Sequence, residues 1–166
     1  MQNVYMIDPI DALKMAIQSE REMNNYYRKA VNLFDDEELR SIMNDFSKKA
    51  SDNRQKAVDA YSSFSGKRIL YLNLDRRHRL NTLIRCGSDP KEAIIMAKRN
   101  EKELSEFYET VSHRFMQGDL RAFFRELSDF HRDHLSFLET TFEEAAALEE
   151  SETVEANQEP KSAEAA

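Results

Sequence analysis

The chain repeats part of itself at an offset of 81 residues, and this internal repeat constrains its fold more than any other feature. Residues 8–47 align with residues 89–128 without a gap, with 12 identities in 40 positions. The identities include Asp8-Pro9 with Asp89-Pro90, Glu20 with Glu101, and Tyr27 with Tyr108. A repeat of this length is much longer than the unit of most solenoids. It therefore predicts a two-helix unit that occurs twice.

Glycine and proline are rare, with three of each in 166 residues, and they mark the ends of the predicted helices. Pro9 and Pro90 each follow an aspartate, which is typical of a helix N-cap with proline at the first helical position. The glycines lie in the predicted connections at positions 66, 87 and 118. Because no predicted helix has either residue in its interior, the chain is predicted to be all-α.

Four helices are predicted, at about 9–34, 37–64, 90–115 and 119–148. The turns within each pair are short, so each pair forms an antiparallel hairpin. The link at about 65–88 is long enough to cross the bundle from end to end. The sequence thus predicts one antiparallel four-helix bundle over residues 1–142, made of two helical hairpins joined by a long crossover.

The apolar stripes of these helices include four side chains, two glutamates and two histidines, of the types that commonly bind metal ions. Glu20 lies on the inner stripe of the first helix, Glu101 on that of the third, and His131 and His134 on that of the fourth. An ionised carboxylate left buried and unpaired costs several kcal/mol, so a bound cation or a Glu/His hydrogen-bond network is expected there. Carboxylate oxygens and imidazole nitrogens together suit Fe, Mn or Zn. The three-residue spacing of the histidines lets both rings face one ion.

Charge is uneven along the chain. Residues 143–166 carry eight glutamates and one lysine, which equals the formal net charge of −7. We expect a helical extension followed by a disordered tail. The crossover is basic, with one aspartate among the following cations: Lys67, Arg68, Arg76, Arg77, Arg79 and Arg85. It matches no nucleic-acid motif, so a solvated face or a subunit contact is the better interpretation, and nucleic acid is not an expected partner.

The single cysteine, Cys86, excludes an intramolecular disulfide and a four-cysteine metal site. No signal peptide is recognisable, and the apolar runs are much shorter than a membrane span. We therefore expect a cytoplasmic protein with no membrane partner.

Two segments carry a resemblance to a known family. Residues 16–27, which contain Glu20 and Tyr27, and residues 97–108, which contain Glu101 and Tyr108, resemble the first and third metal-ligand helices of the ferritin-like superfamily, and within it of the rubrerythrin group. The resemblance covers roughly residues 8–142. It implies a four-helix bundle with a carboxylate-bridged di-iron site, completed by Glu-x-x-His on the second and fourth helices, in proteins that handle oxygen or peroxide or store iron.

The chain departs from that pattern at the site. The fourth-helix motif reads His131-Arg-Asp-His134, and the second-helix motif reads Ala50-Ser-Asp-Asn53. The further glutamate of rubrerythrins is replaced by Leu104, and no rubredoxin module is present. A standard di-iron peroxidase or ferroxidase is therefore not expected, while an oxidoreductase with an altered site stays open. The prediction is an incomplete site of Glu20, Glu101, His131 and His134 that holds one Fe, Mn or Zn ion, or none.

Two functions remain open from the sequence. The first is a rubrerythrin-related metal-binding protein of iron or oxidative-stress physiology, a homodimer, with Tyr27 and Tyr108 beside the ligands and an external electron donor for any redox activity. The second is a metal-free helical bundle that acts as a protein-interaction module. In the second, the glutamates bond to the histidines, and the basic crossover or acidic tail provides the contact surface.

Overall fold

The computed structural model of the chain describes residues 7–69, 87–115 and 118–156, with side chains up to residue 143. Its four α-helices are α1 (Pro9–Ala30), α2 (Glu37–Ser65), α3 (Pro90–Arg114) and α4 (Asp119–Ala156), and a short 3-10 helix (Val31–Leu33) follows α1. No strand occurs within the described ranges. The predicted all-α class is confirmed, and α4 extends to Ala156 instead of ending near residue 148.

The helix ends are fixed by the capping residues that the sequence indicated. Asp8 Oδ1 accepts hydrogen bonds from the backbone N–H groups of Ile10 and Asp11, at 2.7 and 3.0 Å. Asp89 Oδ1 accepts one from the N–H of Glu92 at 2.8 Å. Gly66 ends α2 in the left-handed region, with φ of 68°, and donates its N–H to the carbonyl of Ser62. These bonds satisfy terminal backbone groups that have no partner inside a helix.

The two hairpins pack so that α1 lies antiparallel to α3, and α2 lies antiparallel to α4. Tyr27 of α1 reaches Glu101 of α3, whereas Tyr108 of α3 reaches Glu20 of α1. Helices α1 and α3 therefore run antiparallel. Across the bundle, Lys56 of α2 pairs with Glu126 of α4 at 2.7 Å, and Phe46 of α2 contacts His134 of α4, which gives the same antiparallel relation.

These relations make α2 and α3 parallel, because α1 and α2 form one antiparallel hairpin and α1 runs antiparallel to α3. The link from the end of α2 to the start of α3 must therefore return along the length of the bundle, as a crossover does. Most of this link lies outside the described residues. So do Cys86, the basic residues from Arg76 to Arg85, and the tail after residue 156.

The internal repeat reappears as equivalent contacts between the paired helices. In the first hairpin, Asn24 Nδ2 donates to the carbonyl oxygen of Ser47 at 2.8 Å. In the second, Ser105 Oγ donates to the carbonyl oxygen of Ser128 at 3.1 Å. Each second-hairpin residue lies 81 positions after its first-hairpin counterpart. The two hairpins are thus related by a pseudo-twofold axis that exchanges α1 with α3.

The predicted inner stripes form the core. The largest side chains with almost no exposed surface are Tyr26, Tyr27, Tyr108, Phe124, Leu13, Met15, Ile17, Met23, Met43, Leu104, Leu127 and Leu138. Within the described ranges, no helix is both long enough and apolar enough to cross a membrane.

Candidate functional site

The four predicted site residues meet in the centre of the bundle. Glu20 and Glu101 are fully buried, and His131 and His134 are 1% and 6% exposed. They come from α1, α3 and α4, while α2 places Ala50 and Asn53 at the positions that correspond in the repeat to the two histidines. The structure brings the quartet together, and its ligation of a metal stays a prediction.

His131 bridges the two glutamates. Its Nε2 lies 2.8 Å from Glu20 Oε1, and its Nδ1 lies 2.5 Å from Glu101 Oε2. Each carboxylate oxygen can only accept a hydrogen bond, so both ring nitrogens must carry a proton for both contacts to be hydrogen bonds. This geometry identifies the ring as an imidazolium with a carboxylate on either side.

The two tyrosines of the repeat bind the carboxylates reciprocally. The hydroxyl of Tyr27 donates to Glu101 Oε1, and the hydroxyl of Tyr108 donates to Glu20 Oε1 at 2.9 Å. Burial, followed by the nearby carboxylate, raises the pKa of each tyrosine well above its ordinary value of 10.0. Both hydroxyls are therefore neutral donors, and each stabilises the negative charge of the glutamate on the opposite helix.

Electrostatic attraction within the network outweighs the cost of burial. Burial alone lowers the pKa of His131, but Glu20 and Glu101 raise it from 6.5 to about 10. Burial alone raises the pKa of Glu101, but attraction to His131 and hydrogen bonds from both histidines lower it from 4.5 to about 2. At neutral pH, His131 is therefore positively charged and Glu101 is negatively charged.

His134 is held mainly by aromatic packing. Its ring stacks on Phe46 of α2, with centroids 3.9 Å apart and planes 5° from parallel, and it also contacts Phe130. Its Nδ1 lies 3.3 Å from Glu101 Oε1, a longer contact than those of His131. The sequence pattern does not reveal this stacking, because it joins residues 88 positions apart.

A few buried polar atoms near the quartet have no hydrogen-bond partner among the residues that the structure describes. They include Glu20 Oε2, His134 Nε2 and Asn53 Nδ2. Asn100, which precedes Glu101, is fully buried with both amide atoms unpartnered. The sequence analysis missed Asn100, although a polar residue also occupies the equivalent repeat position, Ser19. A buried polar group without a partner typically costs about 1–3 kcal/mol, so these atoms lower the stability of the core.

The donor set does not fit the two-metal centre that the family resemblance implies. A two-metal centre of that type takes a glutamate and a histidine from α2, and this chain has Ala50 and Asn53 there. Both oxygens of Glu101 are engaged, and α2 supplies no carboxylate. Within the described ranges, no three His, Cys, Asp or Glu side chains are arranged to hold a metal ion.

The repeat explains why a single ring can occupy the centre. The position equivalent to His131 in the first hairpin is Ala50, whose methyl group is 3% exposed. A second imidazole there would approach the same carboxylates from the symmetry-related direction. The alanine therefore leaves the central space to His131.

A solved structure of a hypothetical protein from Pyrococcus furiosus is similar to this chain, with a TM-score of 0.67 and 20% sequence identity over 82% of this chain and 89% of that one. At this identity the similarity shows the fold alone. No protein-family model matches the chain, and no curated protein matches it.

Proposed function

We propose that this chain is a metal-independent, ferritin-like helical bundle that acts by binding a partner at its surface. The observation that carries the proposal is the position of His131, with one ring nitrogen on Glu20 and the other on Glu101. The imidazolium compensates one of the two buried negative charges, and the hydroxyls of Tyr27 and Tyr108 donate to the two carboxylates. Under this proposal the network holds the glutamates without a metal ion.

The burial of the quartet also supports a surface function. None of the four residues is more than 6% exposed, so a macromolecular partner would meet the outer faces of the helices instead. Under this proposal the Glu–His–Tyr network holds α1, α3 and α4 in one arrangement. It thereby gives the surface a fixed shape for recognition.

A second candidate is a metal-binding protein of iron or oxidative-stress physiology. Two unpartnered buried atoms, Glu20 Oε2 and His134 Nε2, favour it because carboxylate oxygen and imidazole nitrogen are common metal ligands. A single Fe, Mn or Zn ion at these atoms would be an addition to the bridged network. Any oxidoreductase activity would require an external electron donor.

Metal analysis of the purified, untagged chain decides between the two candidates. The chain is dialysed without added metal, its elemental content is measured, and its thermal unfolding is followed with a chelator and then with Fe²⁺, Mn²⁺ or Zn²⁺. The matched variant is His134→Ala, which removes one free ligand atom and leaves the His131 bridge in place.

We expect no stoichiometric metal, and a melting temperature that neither chelator nor metal changes in the wild type or in His134→Ala. About one ion per chain, with a metal-dependent rise in melting temperature that His134→Ala abolishes, would overturn the proposal in favour of the second candidate. Two ions per chain would contradict both.

The cytoplasmic location and the homodimer are also proposals. They rest on the single cysteine and on the ferritin-like resemblance. Light scattering of the purified chain measures its mass directly, and a mass of about one chain would contradict the dimer.

A further inference from the structure

A polar groove lies along the outer seam between α3 and α4. Its floor includes Ser112 of α3 and Ser128 of α4, which are 4% and 2% exposed. Ser112 Oγ donates to the carbonyl oxygen of Glu109 at 2.7 Å, and Ser128 Oγ donates to that of Ser105 at 2.9 Å. The floor is therefore polar and fixed by backbone contacts, which makes it a poor surface for an apolar ligand.

Three arginines of α4 line this groove, and one of them is paired with acidic residues. Arg132 Nη1 lies 2.8 Å from Asp129, and its Nη2 lies 3.8 Å from Glu109. The same guanidinium also reaches the hydroxyl oxygen of Ser128 at 3.4 Å. Arg132 is thus held in position and its charge is compensated.

The other two arginines, Arg121 and Arg125, are exposed and have no ion-pair or hydrogen-bond partner among the residues that the structure describes. Their four-residue spacing places them on one face of α4, with Cβ atoms about 6 Å apart. Each guanidinium group can donate two parallel hydrogen bonds to a carboxylate or phosphate group. The groove therefore presents two adjacent, unpaired guanidinium groups that can donate hydrogen bonds to an anion.

The first hairpin provides an internal comparison for this arrangement. By the 81-residue offset, Arg121 corresponds to Arg40, which pairs with Glu37 at 3.7 Å. Arg125 corresponds to Asn44, and Ser112 corresponds to the buried Val31. The equivalent seam of α1 and α2 thus lacks both the unpaired arginine couple and the second serine. The unpaired arginine couple is therefore specific to the second hairpin, and the equivalent seam of the first hairpin carries Arg28 and Lys48 in place of Glu109 and Asp129.

We propose that the α3–α4 groove binds an oxyanion, a phosphate or carboxylate group, through the guanidinium groups of Arg121 and Arg125. This inference deepens the proposed function and rests on it, because it names the chemistry that the surface of the bundle recognises in a partner. Arg132, Ser112 and Ser128 complete the lining of the groove, and Arg121 and Arg125 provide the hydrogen-bond donors for the anion.

The test is a titration of the full chain with inorganic phosphate and, separately, with acetate, both at constant ionic strength, followed by NMR chemical shifts of the backbone amides. The binding variant is the double substitution Arg121→Gln and Arg125→Gln. The matched control is Arg40→Gln, which removes one arginine from the equivalent seam of the first hairpin.

We expect saturable shifts confined to the groove, with a Kd of about 1 mM. The double variant should bind at least tenfold more weakly, and the control should bind as the wild type does. Saturation by phosphate alone identifies a phosphate-bearing partner, and saturation by acetate as well identifies a carboxylate-bearing one. Shifts that do not saturate, or that persist unchanged in the double variant, would overturn the proposal.

The two proposals fail in different measurements. Stoichiometric metal in the purified chain contradicts the metal-independent function but leaves phosphate binding in the groove intact. Loss of saturable anion binding in a metal-free chain contradicts the groove and leaves the interpretation of the core unchanged.

Discussion

Replacing His131 with glutamine tests the bridged core directly. Glutamine is neutral, and its amide can donate to one glutamate while its carbonyl oxygen must then face the other. The substitution therefore leaves two buried carboxylates without the positive charge that lies 2.5 and 2.8 Å from them. Removing one partner of a buried ion pair typically costs about 3–5 kcal/mol of folding free energy.

The pKa of His131 gives a similar magnitude. A rise from 6.5 to about 10 means that the folded protein binds this proton more tightly than the unfolded chain does. The difference corresponds to about 5 kcal/mol at a pH below both values. Native domains are stable by about 5–15 kcal/mol, so loss of this proton should be measurable as a fall in the free energy of unfolding.

The assay is urea unfolding at about pH 6, where the full contribution of His131 is present. His131→Gln should lower the free energy of unfolding by about 3–5 kcal/mol. The control is His113→Gln, since His113 is an exposed histidine on α3 and its substitution should change stability by less than about 0.5 kcal/mol.

The dependence on pH has a defined sign. Because the folded pKa of His131 is raised, its contribution is complete below pH 6.5 and is lost as the pH rises toward about 10. Because the folded pKa of Glu101 is lowered, its contribution is complete above pH 4.5 and is lost as the pH falls toward about 2. His131→Gln should lack the alkaline loss that the wild type shows.

A loss below about 1 kcal/mol in His131→Gln, or an alkaline loss equal to that of the wild type, would refute the bridged imidazolium. If the variant does not fold, the wild type still supplies the test. Its His131 ring nitrogens, observed by ¹⁵N NMR at about pH 8, should both be protonated. A neutral ring at that pH would contradict the assignment.

Three further substitutions follow from the structure. Tyr27→Phe and Tyr108→Phe each remove a hydroxyl that donates to a buried carboxylate, so chemical denaturation should show that each loses about 1–3 kcal/mol in the free energy of unfolding. The control is Tyr61→Phe, at a half-buried position, and losses no greater than in this control would contradict the reciprocal hydrogen bonds. Asn100→Leu removes two unpartnered amide atoms, so the free energy of unfolding should rise by about 1 kcal/mol, and a fall of that size would show that the amide is satisfied. Ala50→Leu places extra volume opposite His131, so calorimetry should show a destabilisation of about 1–3 kcal/mol, and an unchanged melting temperature would contradict the tight central space.

The repeat allowed much of the fold to be predicted. Two copies of an Asp-Pro cap and of an apolar stripe are local signals, and they gave the helices and their inner faces. The equivalence of Glu20 and Glu101 also placed two carboxylates at one level of the bundle. These inferences succeeded because helix periodicity and capping depend on residues close together in the sequence.

The details of the site depend on contacts between distant segments. The sequence placed His131 on the inner face of α4, but its ring orientation follows from two glutamates that lie 111 and 30 residues away. Similarly, Glu109 of α3 lies 3.8 Å from Arg132 of α4, an ion pair between helices that the sequence pattern does not reveal. Side-chain pairing of this kind is set by packing and not by local pattern.

The pseudo-twofold axis has a consequence for the chemistry of the two glutamates. An imidazole ring has two different nitrogens, so two equivalent carboxylates cannot share it equally. Glu101 receives Nδ1 on one oxygen and Tyr27 on the other, whereas Glu20 receives both Nε2 and Tyr108 on Oε1 and has no partner for Oε2 among the described residues. A symmetric pair of first hairpins would hold two acids and no base, and a pair of second hairpins would crowd two rings into one position. Because one chain joins two different hairpins, the first hairpin supplies one carboxylate, and the second supplies the other carboxylate and the single imidazole. An assembly of identical hairpins cannot provide this combination.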